Sequence, residues 1–119
     1  MRPASARRAA RRYGLRAERL VRLHFRLRGY RILAANLHAG GNELDLVARR
    51  GGLLVVCEVK ARGAGAWGDP LDAVGPEKLR RVRRAAEALI ARRPELAGLE
   101  VALEVAAVRG WRVERVRAP

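Results

Sequence analysis

The chain has 119 residues, half of them hydrophobic, enough for one buried core and too few for two full domains. Its single cysteine, Cys57, excludes an intramolecular disulfide and a cysteine-built zinc framework, and no apolar stretch is long enough to span a bilayer or to follow the basic N-terminus as a signal peptide. Lys and Arg total 26 against 12 Asp and Glu, a formal charge of +14, which attracts phosphate polymers by releasing their counterions.

Met1–Arg12 is basic and rich in Ala and reads as an arm or frayed first turn ahead of a single domain over residues 13–119. From Tyr13 to Arg28, Tyr13, Ala17, Leu20, Val21, Phe25 and Leu27 recur at helical spacing, with Arg16, Arg19, Arg22 and Arg26 on another face. Gly29 is a suitable stop. Tyr30–Leu37 predicts a first strand, and Leu37–Asn42 a turn in which Gly40, Gly41 and Asn42 suit positive φ. Glu43–Ala48 predicts a second strand. After the Gly51-Gly52 turn, Leu53–Lys60 predicts a third, and the three form an antiparallel meander. The third strand is apolar on both faces until Glu58, as in a central strand covered on both sides.

Arg62–Gly75 reads as a Gly-rich loop. Pro76 opens a second helix, with an apolar stripe of Leu79, Val82, Ala86, Leu89 and Ile90 and a cationic face of Arg80, Arg81, Arg83 and Arg84, ending before Pro94. Leu99–Val108 predicts a fourth strand, and Trp111–Val116 a short fifth after Gly110. The order helix, three strands, helix, one or two strands predicts an α/β sandwich with a mixed sheet.

Side chains two apart on a strand share a face, so Glu58 and Lys60 share one and Glu43 and Asp45 share another. The hairpin closed by Gly51-Gly52 then lets Asp45 and Glu58 approach. Two close carboxylates repel, and a divalent cation relieves the repulsion. Oxygen ligands of this kind suit Mg²⁺ or Mn²⁺. Such an ion lowers the pKa of a bound water and offsets charge on a scissile phosphate, while Lys60 beside it orients the water or stabilises the pentacovalent phosphorane. Taken alone, so short a pattern as Glu-x-Lys is far more often a surface ion pair. What raises it is its place at the end of an apolar strand, with an Asp one hairpin upstream.

The segments GLRAERLV (Gly14–Val21), GYRILAAN (Gly29–Asn36), NELDLVA (Asn42–Ala48), VVCEVKAR (Val55–Arg62) and PEKLRRV (Pro76–Val82) resemble the YraN-like family of bacterial proteins. The resemblance covers about residues 13–108. It implies a restriction-endonuclease-like three-layer sandwich, a mixed sheet of four to five strands with helices on both faces, of PD-(D/E)xK type and similar to archaeal Holliday-junction resolvases. It implies Asp45, Glu58 and Lys60 at the acidic, acidic and lysine positions, and Glu18 as a helix carboxylate helping to hold the metal or its water. Glu43 matches an acidic residue supporting the ligands from outside, and Arg62 and Lys78 match basic positions suited to phosphate. Asn42 stands where Gly is usual, Ala61 where Thr is, and Glu104 where Asp is commoner.

The expected function is nucleic-acid binding with Mg²⁺-dependent (or Mn²⁺-dependent) endonuclease activity on DNA, including branched or structured DNA, with RNA not excluded. The alternative is a non-catalytic binding module with the nuclease fold. Arg81 and Arg84, with Arg62 and Lys78, are expected to grip the backbone, and a homodimer would let two sites cut two strands. A cytoplasmic location without a membrane partner is the default. The bland reading of the charge is bias, since Lys occurs only at 60 and 78 and Arg richness also follows genome composition or growth at high temperature. His24 and His38 read as surface or half-buried residues, Cys57 as a small core residue, and Trp111 as core. Trp67 suits either stacking on a base or plugging the sheet edge. The GAGAWGD loop lacks the Lys-Ser/Thr ending of a phosphate cradle.

Overall fold

The computed structural model describes residues 4–62 and 68–119, with the backbone alone for residues 4–13. Trp67 and most of the GAGAWGD loop lie outside the described residues. In chain order the elements are α1 (Ala4–Leu27), β1 (Arg31–Ala39), β2 (Asn42–Arg50), β3 (Leu53–Ala61), a 3₁₀ turn (Pro70–Ala73), α2 (Gly75–Arg92), a second 3₁₀ turn (Pro94–Leu96), β4 (Glu100–Arg109) and β5 (Arg112–Arg117). The five strands form one sheet in the order β1-β2-β3-β4-β5. β1, β2 and β3 form the expected antiparallel meander, β3 and β4 run parallel, and β5 returns antiparallel on β4. The sheet is therefore mixed, and the parallel step is the one that needs a helical crossover, supplied by α2.

α1 begins at Ala4, nine residues before the predicted Tyr13, and so runs through most of the segment read as a basic arm. Its end follows from Gly29, at φ +84°. Tyr30 N donates to Phe25 O (3.1 Å) and Gly29 N to Arg26 O (3.1 Å), which is the Schellman pattern that a left-handed glycine permits. Arg50 donates to Arg28 O at 3.0 Å and stacks over the Tyr30 ring at 4.5 Å, tying the helix end to the β2–β3 turn.

Each face of the sheet carries its own core. Ala17, Val21 and Phe25 of α1 pack on Leu46, Ala48, Val55, Cys57, Ala102 and Ala106. Val82, Ala85, Ala86 and Leu89 of α2 pack on Leu44, Val47, Leu54, Val56 and Leu103. This is the three-layer α/β arrangement expected from the elements. β3 is buried on both faces, as its unbroken apolar run requires. Full burial of each Leu, Val or Phe contributes about 1.5–3 kcal/mol.

Three local expectations change. The first strand runs two residues further than predicted, to Ala39, so His38 lies on β1 opposite Glu43 and not in a turn. The turn then needs only Gly40 and Gly41 at positive φ. Asn42 does not share that conformation, and its side chain donates to Gly40 O at 3.1 Å. The one described non-glycine residue at positive φ is Asn36, at +53°. Trp111, expected in the core, is 76% exposed at the β4–β5 turn. Arg109 and Arg112 pair across that turn and leave Gly110 and Trp111 as its tip, where a side chain meets solvent.

Candidate active site

The β2–β3 ladder runs from Arg50–Leu53 to Leu46–Cys57, and the next pair in that register is Asp45 with Glu58. There the side chains take over from the backbone. Val59 N donates to Asp45 Oδ2 at 2.9 Å, and Asp45 N donates to Glu58 Oε2 at 3.3 Å. Each carboxylate thus accepts from the other strand's main chain, and one oxygen of each is left outside the clamp.

The cause lies on β1. The pairs Ala35–Leu46 and Leu37–Leu44 set Asn36 opposite Asp45. Leu46 packs toward α1 and Leu44 toward α2, although residues two apart normally share a face. The alternation therefore breaks at Asp45, opposite the left-handed Asn36, and β2 turns away from β3. Glu43, on the far side of the break, is exposed, and the broken alternation removes the ground for placing it on one face with Asp45. The expectation that they would share one assumed an unbroken strand.

Glu58 is 1% exposed on the α2 face. Its Oε1 makes no hydrogen bond and faces Lys78 Nζ of α2 at 3.4 Å. Burial first and the Asp45 charge second push its pKa up, Lys78 pulls it down, and the net value is about 7. Lys78 is therefore an internal counter-ion of the carboxylate pair in this structure, where the resemblance suggested a phosphate contact. A sequence signal for this existed: Lys78, Val82, Ala86 and Leu89 lie on one helical stripe, so Lys78 points where the apolar residues point.

Lys60 lies two residues beyond Glu58 on the same strand face and is half-buried. Glu18 is half-buried on α1 and makes no ion pair with Asp45 or Glu58. Among the described residues no group of three or more His, Cys, Asp or Glu is arranged to hold a metal ion. Asp45 and Glu58 are brought together and Glu18 is not joined to them. Of the two carboxylate oxygens outside the clamp, Glu58 Oε1 is buried against Lys78, so a divalent ion held by both acids would take the place of that ammonium.

The main chain of Arg62 continues the sheet by donating to Val108 O at 2.8 Å. Arg81 and Arg84 are exposed on α2, and Arg81 approaches Glu77 at 4.0 Å. His24 is half-buried and His38 exposed, in line with their surface reading. Cys57 is fully buried, and burial pushes its thiol far up, so it is a core residue.

A second buried acid, Glu104, lies on the α1 face. Arg115 meets it with two bonds, 2.7 and 3.2 Å, and Arg117 adds a third at 3.3 Å. Arg115 also stacks over the Phe25 ring at 4.3 Å. This charge is fully matched and braces β4, β5 and α1.

The fold and the clamped carboxylates define an α/β protein with a mixed five-stranded sheet between two helices and an acidic pair where two central strands part. The chain belongs to the uncharacterised protein family UPF0102, whose model matches residues 17–113. It is 43% identical over 117 residues to the UPF0102 protein amb4503 of Paramagnetospirillum magneticum, covering 95% of this chain and 89% of that one. It is 46% identical over 105 residues to a UPF0102 protein of Parvibaculum lavamentivorans, covering 87% and 77%. A third relative, mlr4633 of Mesorhizobium japonicum, is 39% identical over 111 residues, covering 93% and 87%. This is the family that the YraN-like resemblance indicated.

Proposed function

We propose that this protein is a metal-dependent endonuclease-like protein that binds DNA, including branched or structured DNA, and hydrolyses its phosphodiester bonds. The observation that carries the reading is the reciprocal clamp between Asp45 and Glu58, with Lys60 on the same strand face as Glu58. The clamp orders both carboxylates before any ligand arrives, which removes reorganisation from the binding step. Mg²⁺ or Mn²⁺ bound to the outer oxygens of Asp45 and Glu58 would supply an activated water and charge neutralisation. Lys60 then carries a proton donor beside the scissile phosphate. Arg62, Arg81 and Arg84 hold the backbone, and the +14 charge draws the polymer in. Glu18 joins the acidic pair only if α1 shifts on binding. No helix among the described residues is long and apolar enough to cross a membrane.

A second reading, a binding module without catalysis, is favoured by one observation: Lys78 already neutralises Glu58. Cleavage of labelled linear, single-stranded, flapped and four-way DNAs with Mg²⁺ or Mn²⁺, wild type beside Glu58→Ala, decides between them. Cutting by the wild type alone supports the nuclease. Salt-sensitive binding without cutting, retained in Glu58→Ala, supports the module.

A further inference from the structure

Trp111 is the most exposed large apolar side chain among the described residues, and it does not stand alone. The Arg16 guanidinium lies over its ring, 4.1 Å from the centroid. The ring lines a groove of about 280 Å³ together with Leu20, Leu23, Leu27, Arg28 and Val113. Leu23 and Leu27 are 50% and 75% exposed, so this apolar surface has no cover among the described residues. An uncovered apolar patch of this kind marks a binding surface.

Two features choose the occupant. The first is charge: Arg16 and Arg28 border the patch on a chain of +14. A second copy would bring the same arginines against these and repel. A ligand with a flat apolar face and an anionic tether matches. The second is position. β3 and β4 are parallel, with Lys60 beside Ala107 and Ala61 beside Val108, and β4 turns at Gly110–Trp111. Trp111 therefore lies at the same end of the sheet as Lys60, four residues beyond its pairing partner Ala107, on the α1 side, whereas Lys60 shares the α2 side with Glu58.

We propose that Trp111, backed by Arg16, is a stacking platform for an unpaired nucleobase, so that the substrate is DNA carrying a single-stranded segment or end. A base inside a duplex has both faces covered and cannot use the platform, whereas an unpaired base can, whatever its identity. The inference rests on the nucleic-acid reading above and adds the substrate class to it.

The test is fluorescence-anisotropy binding in EDTA, so that no cleavage intervenes. The probes are a labelled single strand, a blunt duplex of the same sequence and that duplex with a single-stranded flap. Trp111→Ala should weaken the single strand and the flap about tenfold or more and change the blunt duplex less than about twofold, while Trp111→Phe keeps most of the affinity. Because Trp111 is exposed, its variants should melt as the wild type does. Equal losses on all three probes, or no loss on any, overturn the platform and leave the nucleic-acid reading standing. Failure of the wild type to bind any probe overturns that reading as well. A wild-type dimer in sedimentation that Trp111→Ala dissociates assigns the patch to a second copy and overturns the proposal. Unchanged DNA binding alongside capture of a synthetic acidic amphipathic peptide, lost in Trp111→Ala, overturns it in favour of a protein partner.

Discussion

Asp45 and Glu58 hold each other's strands: Asp45 Oδ2 accepts from Val59 N at 2.9 Å, and Glu58 Oε2 accepts from Asp45 N at 3.3 Å. The two acids that the proposed chemistry needs are also the residues that end the β2–β3 ladder in order. Function and local stability are therefore in tension at this point, and pH exposes it.

Glu58 holds its proton more tightly when folded, with a pKa raised to about 7. The unfolded chain then releases that proton first as pH rises, so this group makes stability fall between about pH 4.5 and 7. Glu58→Gln should remove that fall. It should be roughly neutral at pH 4 and stabilising by about 2 kcal/mol at pH 8. Lys78→Met should act oppositely, since Lys78 lowers the Glu58 pKa, and should steepen the loss above pH 7. Urea denaturation across that range reads both signs.

Glu104 and Arg115 should behave as a matched pair. Glu104→Ala strands the Arg115 guanidinium against Phe25 and should cost about 3 kcal/mol in urea denaturation. Replacing both residues with apolar ones should cost less than the sum of the single changes, because neither charge is then left unpaired.

Asn36 has φ +53° in the middle of β1, where β-branched residues are strongly disfavoured. Asn36→Val should cost about 1–3 kcal/mol, whereas Asn36→Gly should be near neutral. If the left-handed residue is what turns β2 from β3, Asn36→Val should also weaken cation binding at Asp45. Thermal melting and a manganese titration check the two halves separately.

Gly40 brings the β1–β2 hairpin against α2. A Cβ there would lie 3.1 Å from the Ala88 Cβ, at φ +56°. Gly40→Ala should therefore lower the melting temperature by several degrees, corresponding to about 1–2 kcal/mol.

Much of this was legible in the residues. The Gly51-Gly52 turn set the register that brings Asp45 to Glu58, and the doubly apolar run of β3 placed Glu58 at the end of a central strand. Two things were hidden. A left-handed Asn inside a strand carries no sequence mark that separates it from a solvent-facing Asn, so the break that splits Glu43 from Asp45 could not be foreseen. Composition suggests that a rare tryptophan is core. Only the two-residue spacing of the Gly110–Trp111 tip shows that the ring has nowhere inward to go.

The measurement that tests the central claim most directly is a calorimetric titration of Mn²⁺ into wild type, Asp45→Asn and Glu58→Gln at pH 8. The account predicts a site in the wild type that is lost in both variants, while their melting shows them folded. Equal binding by all three, or none by the wild type, would contradict it.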